Sequence, residues 1–223
     1  MNKLSIGCCC VLISAFSEAS FGADSFYKGQ VGTDIWFGAT KASGERGQPS
    51  NVPSLLISLE HSFPVLPNIS FRYTNLVEDD AEFDKFTYTL YYHIFNQDLY
   101  TFDVGASFSR FMSGKYTAKD QQEYSFNDAT VNLYTYGEVA IPFSPIDVFA
   151  RIDFGDYGSS DVGNQDYALG IQWKVPINIG TLALNSGYRN SHIDIDELDI
   201  PDSVDDPKHI HISGWFVGAI INF

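Results

Sequence analysis

Two residues near the C-terminus, His211 and Ser213, have the types and the spacing that nucleophilic catalysis requires. Residues two apart on a β-strand point to the same face, so the imidazole would lie beside the hydroxyl. A histidine in that position can accept the serine proton and activate the oxygen as a nucleophile. The motif contains no acidic residue that would orient the histidine, and pairs of this kind often arise by chance. We therefore predict no catalytic residue and no enzymatic activity.

The same segment offers a second kind of chemistry, metal binding. His209 and His211 share a strand face, and Asp205 and Asp206 come shortly before them. Imidazole nitrogen is a good ligand for zinc and copper. Histidines next to acidic loop residues are usually solvated, so we predict neither a metal site nor a cofactor. The other histidines are dispersed along the sequence: His61, His93 and His192.

These candidate residues belong to a segment with the alternation of a β-strand. Apolar side chains occupy every second position up to the end of the sequence, and small or polar residues stand between them. The apolar positions are Trp215, Val217, Ala219, Ile221 and Phe223. A period of two residues indicates a strand with one apolar face rather than a helix.

Residues 1–22 have the pattern of a secretory signal peptide. Lys3 precedes an apolar run, 4–16, and the small residues Ser20 and Gly22 lie near the expected cleavage site. The run is shorter than the roughly 20 residues that a membrane-spanning helix needs. We predict a leader over 1–22 and one domain over residues 23–223. All cysteines of the chain fall in the leader, at Cys8, Cys9 and Cys10, which predicts a mature protein without disulfides.

The composition excludes some partners and points to a membrane. The net charge is −15, with 13 Lys and Arg against 28 Asp and Glu, so the chain lacks the basic surface that nucleic-acid binding requires. Aromatic residues make up 15% of the sequence. No apolar run after the leader is long enough to span a membrane as a helix. A membrane protein with such a sequence must be a β-barrel, because only helices and closed barrels satisfy all backbone hydrogen bonds in lipid.

Beyond residue 25 the sequence divides into strand-length alternating segments joined by connections that are short and long in turn. The predicted short connections lie near 64–67, 96–98, 142–145 and 176–180. The predicted long, polar connections lie near 44–53, 78–82, 112–128, 155–165 and 191–208. Short periplasmic turns and longer external loops are typical of bacterial outer-membrane barrels, which have an even number of strands. We predict an all-β, antiparallel up-and-down barrel of ten strands, with eight strands as the alternative.

The charged residues of these segments fall on the face opposite the apolar rows. They comprise five residues of each sign: Asp34, Glu60, Arg72, Lys85, Asp103, Glu138, Arg151, Asp153, Lys174 and Arg189. In a barrel that face lines the lumen, and barrels of about eight strands have room only for side chains. We therefore predict that these charges pair across a narrow, plugged lumen, since an unpaired buried charge is costly.

The leader, the hairpin pattern and the terminal Phe223 together resemble the small outer-membrane β-barrel proteins of gammaproteobacteria, many of which have no assigned function. The resemblance implies a location in the outer membrane of a Gram-negative cell, in contact with lipid and lipopolysaccharide. It also implies that the barrel-assembly machinery recognises the C-terminal strand, which ends at Phe223. We predict a monomer. No motif specific to one function accompanies it.

Two weaker resemblances concern enzymes of the outer membrane. His211-Ile212-Ser213 resembles the His-x-Ser element of lipid A deacylases. The pairs Asp79-Asp80 and Asp206 with His209 resemble the acidic pair and the Asp-His dyad of omptin proteases, although the spacing differs. We predict a structural or surface-interaction role. The alternatives are a porin-like narrow passive channel for small solutes and, third, a lipid A-modifying hydrolase.

Overall fold

The chain forms ten antiparallel strands, which confirms the predicted number and excludes the eight-strand alternative. The computed structural model describes residues 26–42, 45–63, 65–78, 80–155, 162–195 and 208–223. The predicted leader lies outside these residues. The strands are β1 (Tyr27–Ala42), β2 (Glu45–His61), β3 (Asn68–Val77), β4 (Ala81–Gln97), β5 (Tyr100–Thr117), β6 (Glu123–Ala140), β7 (Ile146–Gly155), β8 (Val162–Ile177), β9 (Gly180–Ile195) and β10 (His209–Asn222). Among the described residues no helix is long and apolar enough to cross a membrane.

Each strand pairs with its neighbours in sequence, and β1 pairs with β10 to close the barrel. The seam between β1 and β10 extends to the last residue of the chain. The Phe223 amide donates a hydrogen bond to the Gly29 carbonyl at 2.9 Å, and the Gly29 amide donates to the Phe223 carbonyl at 2.7 Å. A side chain at Gly29 would collide with the Phe223 ring, which would have to move to accommodate it. Closure leaves no strand edge unpaired at this position.

The outer surface of the barrel is apolar over a continuous band. The following outward side chains are all more than 40% exposed: Ile35, Leu90, Phe108, Val131, Leu169, Leu184 and Val217. The alternate positions of the same strands point into the barrel, as predicted, including those of β6, where Tyr134 and Tyr136 face inward. A closed barrel with a polar lumen and an apolar exterior is built to span a bilayer. The protein is therefore a β-barrel of the outer membrane.

The predicted long loops are wrong in extent, because most of their residues continue the strands. β2 already begins at Glu45, and only residues 118–122 separate β5 from β6, where a loop over 112–128 was expected. β9 likewise continues to Ile195. Backbone pairing does not depend on polar side chains, so polar segments above the membrane can extend the hairpins. In the orientation typical of outer-membrane barrels, the external end thus consists largely of protruding strands, and β1 begins and β10 ends at the periplasmic end.

An apolar cluster fills the lumen at the external end. Its largest members are almost completely buried: Trp36, Val52, Leu76, Phe83, Phe111, Tyr116, Ile193, Ile195, Ile210 and Ile212. We call these residues the external plug. They lie on the strand halves farthest from the barrel termini, where the alternation is inverted: apolar Phe83 points inward, while its neighbours Glu82 and Asp84 are only partly buried. Strands that leave the membrane face water outside, so their apolar residues pack inward as in a soluble barrel.

Candidate functional site

The candidate site is a polar cavity in the lumen with a volume of about 560 Å³. Its lining begins at the periplasmic ends of the strands, with Lys28, Asn96 and Asn222, and reaches inward to Lys85 and Asp166. No residue of the external plug contributes to this lining. The cavity therefore opens toward the periplasm and ends beneath the apolar cluster.

The ten residues of the external plug lie outside the cavity lining, although the apolar cluster to which they belong continues into that lining through Phe149, Ala168 and Phe216. The described lumen therefore has an apolar external part and a periplasmic part that charged and apolar residues line together. All ten charged residues that the sequence assigned to the lumen line the cavity, which confirms their predicted orientation. The predicted pairing is also confirmed, since carboxylates and cations from different strands form ion pairs across the interior. The pairs fall into an inner cluster beneath the plug and an outer cluster at the periplasmic mouth.

The inner cluster is organised around Asp166 on β8. Arg189 on β9 donates two hydrogen bonds to its carboxylate, from Nε at 2.9 Å and from an Nη at 2.6 Å. The Lys85 ammonium lies 3.5 Å from Asp166 and donates to the Asn164 amide oxygen at 2.8 Å. Arg189 also stacks over the Trp36 ring at 4.6 Å, which connects the cluster to the plug. Such paired and hydrogen-bonded charges can remain ionised in a low-dielectric interior.

Two further arginines belong to the inner cluster but differ in how well they are paired. Arg72 donates to the Asp34 carboxylate at 2.8 Å. Arg151 lies 3.7 Å from Asp153 and 3.8 Å from Asp166, and its buried Nε has no hydrogen-bond partner among the described residues. Asp153 instead accepts a hydrogen bond from Ser107 at 2.7 Å. Arg151 is therefore the least satisfied cation of this cluster.

The periplasmic mouth contains the outer cluster. His93 lies between two carboxylates, with Nδ1 2.6 Å from Asp103 and Nε2 3.5 Å from Glu60. Lys174 contacts Glu138 at 2.6 Å and Asp147 at 2.5 Å. These contacts tie β2, β4 and β5 together on one side and β6, β7 and β8 on the other. Their arrangement fits a structural role, because each cation is held by two acceptors.

A row of buried hydroxyl and amide groups joins the inner cluster to the barrel wall, and the sequence analysis did not identify it. Asn132 donates to the Ser107 and Ser109 hydroxyls at 3.2 and 3.1 Å, and Asn164 donates to the Asn132 oxygen at 3.2 Å. The sequence feature that could have indicated this row is the inward position of small polar residues on β5 and β6. Alternation places such residues inside but does not reveal which of them meet.

The predicted His-x-Ser element lies on the outer surface. His211 and Ser213 point away from the lumen at the external end of β10, since the buried positions of that strand are Ile210 and Ile212. The structure adds His192 on β9, whose ring lies 5.9 Å from that of His211 and 5.1 Å from that of His209. Asp194 lies 3.0 Å from His192. Asp79, Asp205 and Asp206 lie outside the described residues.

The described residues contain no group of three or more His, Cys, Asp and Glu side chains that could hold a metal ion. The histidines at the external end of β9 and β10 form a surface cluster of rings, in which Asp194 contacts His192. The cluster lies on the outer face of β9 and β10, toward the external ends of these strands. Its chemistry concerns the membrane surface rather than the lumen.

Comparison with known proteins assigns no family to the chain: no protein-family model matches it, and no curated protein matches it. Solved barrels are similar at low identity. The translocator domain of the autotransporter NalP from Neisseria meningitidis is 11% identical, with 96% of this chain and 92% of that chain covered and a TM-score of 0.46. The outer membrane protease OmpT from Escherichia coli is 6% identical, with 89% and 93% covered and a TM-score of 0.45. Neisserial surface protein A is 14% identical, with 89% and 98% covered and a TM-score of 0.37. Similarities this weak carry no argument about activity or partners.

Proposed function

We propose that the protein is a non-conducting outer-membrane barrel with a structural or surface-interaction role and no catalytic activity. The external plug is the observation that carries this proposal. Trp36 is 1% exposed, and Phe111 and Tyr116 are 0% exposed, so almost no solvent reaches their side chains in the external lumen. An ion that crossed this region would lose its hydration without gaining polar partners. Under this proposal, ions do not pass through the lumen between the external medium and the periplasm.

The alternative role, a narrow passive channel, needs a continuous polar path. The cavity supplies only the periplasmic part of such a path, and the Lys85–Asp166 ion pair, between β4 and β8, crosses the lumen beneath the plug. Both features oppose conduction. The two proposals differ in one measurable property, the ion conductance of the folded barrel.

We expect the refolded protein to give no discrete conductance steps in a planar bilayer. Replacing both Phe111 and Tyr116 by alanine removes two rings from the plug and should produce steps or raise the open fraction. Val131→Ala, which shortens an exposed lipid-facing side chain, is the matched control and should remain silent. Regular steps from the unmodified protein, unaffected by changes in the plug, would instead establish the channel.

The partners that we propose follow from the outer surface and the last strand. The apolar band contacts the lipid chains, and the polar outward residues at the external end contact lipopolysaccharide. The barrel-assembly machinery recognises the C-terminal strand, in which Phe223 completes the seam with Gly29. A closed barrel satisfies its backbone hydrogen bonds without a partner subunit, which supports a monomer.

A lipid A-modifying hydrolase is the second candidate, because His211 and Ser213 share the outward face at the external end of β10. Under the main proposal, the refolded protein releases no fatty acid from lipid A in mixed micelles, as measured by mass spectrometry. The controls are Ser213→Ala and Ser186→Ala, since Ser186 is another outward position on the neighbouring strand. Release that Ser213→Ala abolishes and Ser186→Ala preserves would replace the main proposal by the hydrolase.

A further inference from the structure

We infer that the inner end of the periplasmic cavity binds a small oxyanion, a phosphate or a carboxylate, through Arg151. This ligand site goes beyond the proposed structural role and does not depend on it. Three observations carry the inference: the balance of charge in the inner cluster, the unfilled donors of Arg151, and the opening of the cavity toward the periplasm. Each of them concerns residues of the described barrel.

The inner cluster has more cations than carboxylates. The cations are Arg72, Lys85, Arg151 and Arg189, and the carboxylates in contact with them are Asp34, Asp153 and Asp166. The remaining acidic residues of the cavity pair with His93 and Lys174 at the mouth or lie beside them. A surplus positive charge in a narrow lumen is costly unless an anion compensates it. A bound oxyanion would neutralise the inner cluster.

Arg151 is the cation on which that anion would bind. Asp166 already accepts two short hydrogen bonds from Arg189, so it offers Arg151 only a contact of 3.8 Å. Asp153 lies at 3.7 Å and accepts from Ser107. The planar guanidinium fork matches the geometry of carboxylate and phosphate oxygens. The buried Nε of Arg151, which lacks a partner, is a donor that an oxyanion would satisfy.

The cavity supplies both space and access. Its volume of about 560 Å³ exceeds that of a phosphate ion, and Arg151 belongs to its lining together with Tyr134 and Arg72. The opening lies among Lys28, Asn96 and Asn222 at the periplasmic rim. Lys28 and Lys174 lie at this end together with the carboxylates that pair with His93 and Lys174, so access depends on the opening itself rather than on electrostatic attraction. A small anionic solute of the periplasm would thus reach Arg151 without crossing the plug.

The binding test follows the arginine Nε–Hε signals of the refolded full chain by NMR while inorganic phosphate is added at constant ionic strength. We expect a saturable shift of the Arg151 signal. Arg151→Gln should weaken the binding measured by calorimetry about tenfold or more, since it removes a charge-assisted hydrogen-bond pair. Asp153→Asn removes a competing carboxylate and should tighten it. Arg110→Gln, on the exposed outer face, should bind as the unmodified protein does.

A parallel titration with acetate separates the two oxyanion classes: a shift with both anions indicates a general oxyanion site, and a shift with phosphate alone indicates a phosphate site. The inference fails if neither anion produces a saturable shift, or if Arg151→Gln binds as tightly as the unmodified chain. Heat-modified mobility on gels shows whether each variant is folded. Arg151→Lys keeps the charge without the fork, and intermediate affinity is expected for it.

A labelling experiment tests the direction of access. Single cysteines are introduced at Asn96, at the periplasmic rim, or at Ser125, at the exposed external end, in a chain whose three native cysteines are alanine. A bulky thiol reagent on Asn96→Cys should slow or block phosphate binding, and the same label on Ser125→Cys should not. Unchanged binding with the label at residue 96 would overturn the inferred site. If the label at residue 125 blocked phosphate binding, the anion would still bind in the lumen, but it would enter from the external end, which contradicts the closed external lumen.

Discussion

Replacing Asp166 by asparagine should lower the free energy of unfolding by about 3–5 kcal/mol, the range for removing one partner of a buried ion pair. Asp166 and Arg189 have side chains only 3% and 4% exposed, and their two hydrogen bonds are short. The substitution removes the carboxylate that faces Arg189, Lys85 and Arg151 together. Three cations would then remain close to one another in a narrow lumen with little water.

Equilibrium unfolding in urea, with the barrel folded in lipid vesicles and followed by tryptophan fluorescence, measures this effect. Glu82→Gln is the matched control, because Glu82 pairs with Lys115 at 3.5 Å while both side chains are about half exposed, at 44% and 46%. An exposed pair contributes less than about 1 kcal/mol. If the two substitutions destabilised the barrel equally, the inner cluster would have no special role in stability.

Replacing Leu90 by arginine should destabilise the barrel by about 2–4 kcal/mol, the cost of a cation on the lipid face near the middle of the bilayer. Leu90 is 50% exposed on the outer face of β4 and pairs with Ile69 and Ala106. The guanidinium at that position would have to leave water for hydrocarbon or distort the bilayer around it. Leu184→Arg on β9 should show the same effect, since Leu184 also belongs to the apolar band.

The adjacent residue gives the control for this prediction. Thr89 is 4% exposed and lines the polar cavity, where an introduced cation can reach carboxylates and water. Thr89→Arg should therefore cost less than Leu90→Arg in the same urea titration. Equal costs, or a larger cost at Thr89, would mean that the faces of β4 are exchanged, as a register shift of one residue would do.

Which side chains of the barrel wall point outward and which point inward was predictable from the sequence, because alternation is a local property of a strand. Once Leu90 is placed outward, the period of two residues sends Thr89 inward, and the same rule placed Asp34, Arg151 and Arg189 in the lumen. The strand number followed from the succession of alternating segments. The extent of the loops did not, because polar composition at Glu45 or Glu123 is compatible with either a loop or a strand above the membrane.

The sequence by itself determined that the chain is a barrel with an apolar exterior and a charged interior, and it favoured ten strands over eight. Only the tertiary structure decided which charges meet: Lys85 and Asn164 are 79 positions apart, and Arg189 reaches Asp166 because β8 and β9 pair in one particular register. The external plug also depends on closure, since Trp36, Phe111 and Ile193 come from separate strands. Alternation is set by neighbouring residues along one strand, whereas these contacts require the register and curvature of the whole barrel.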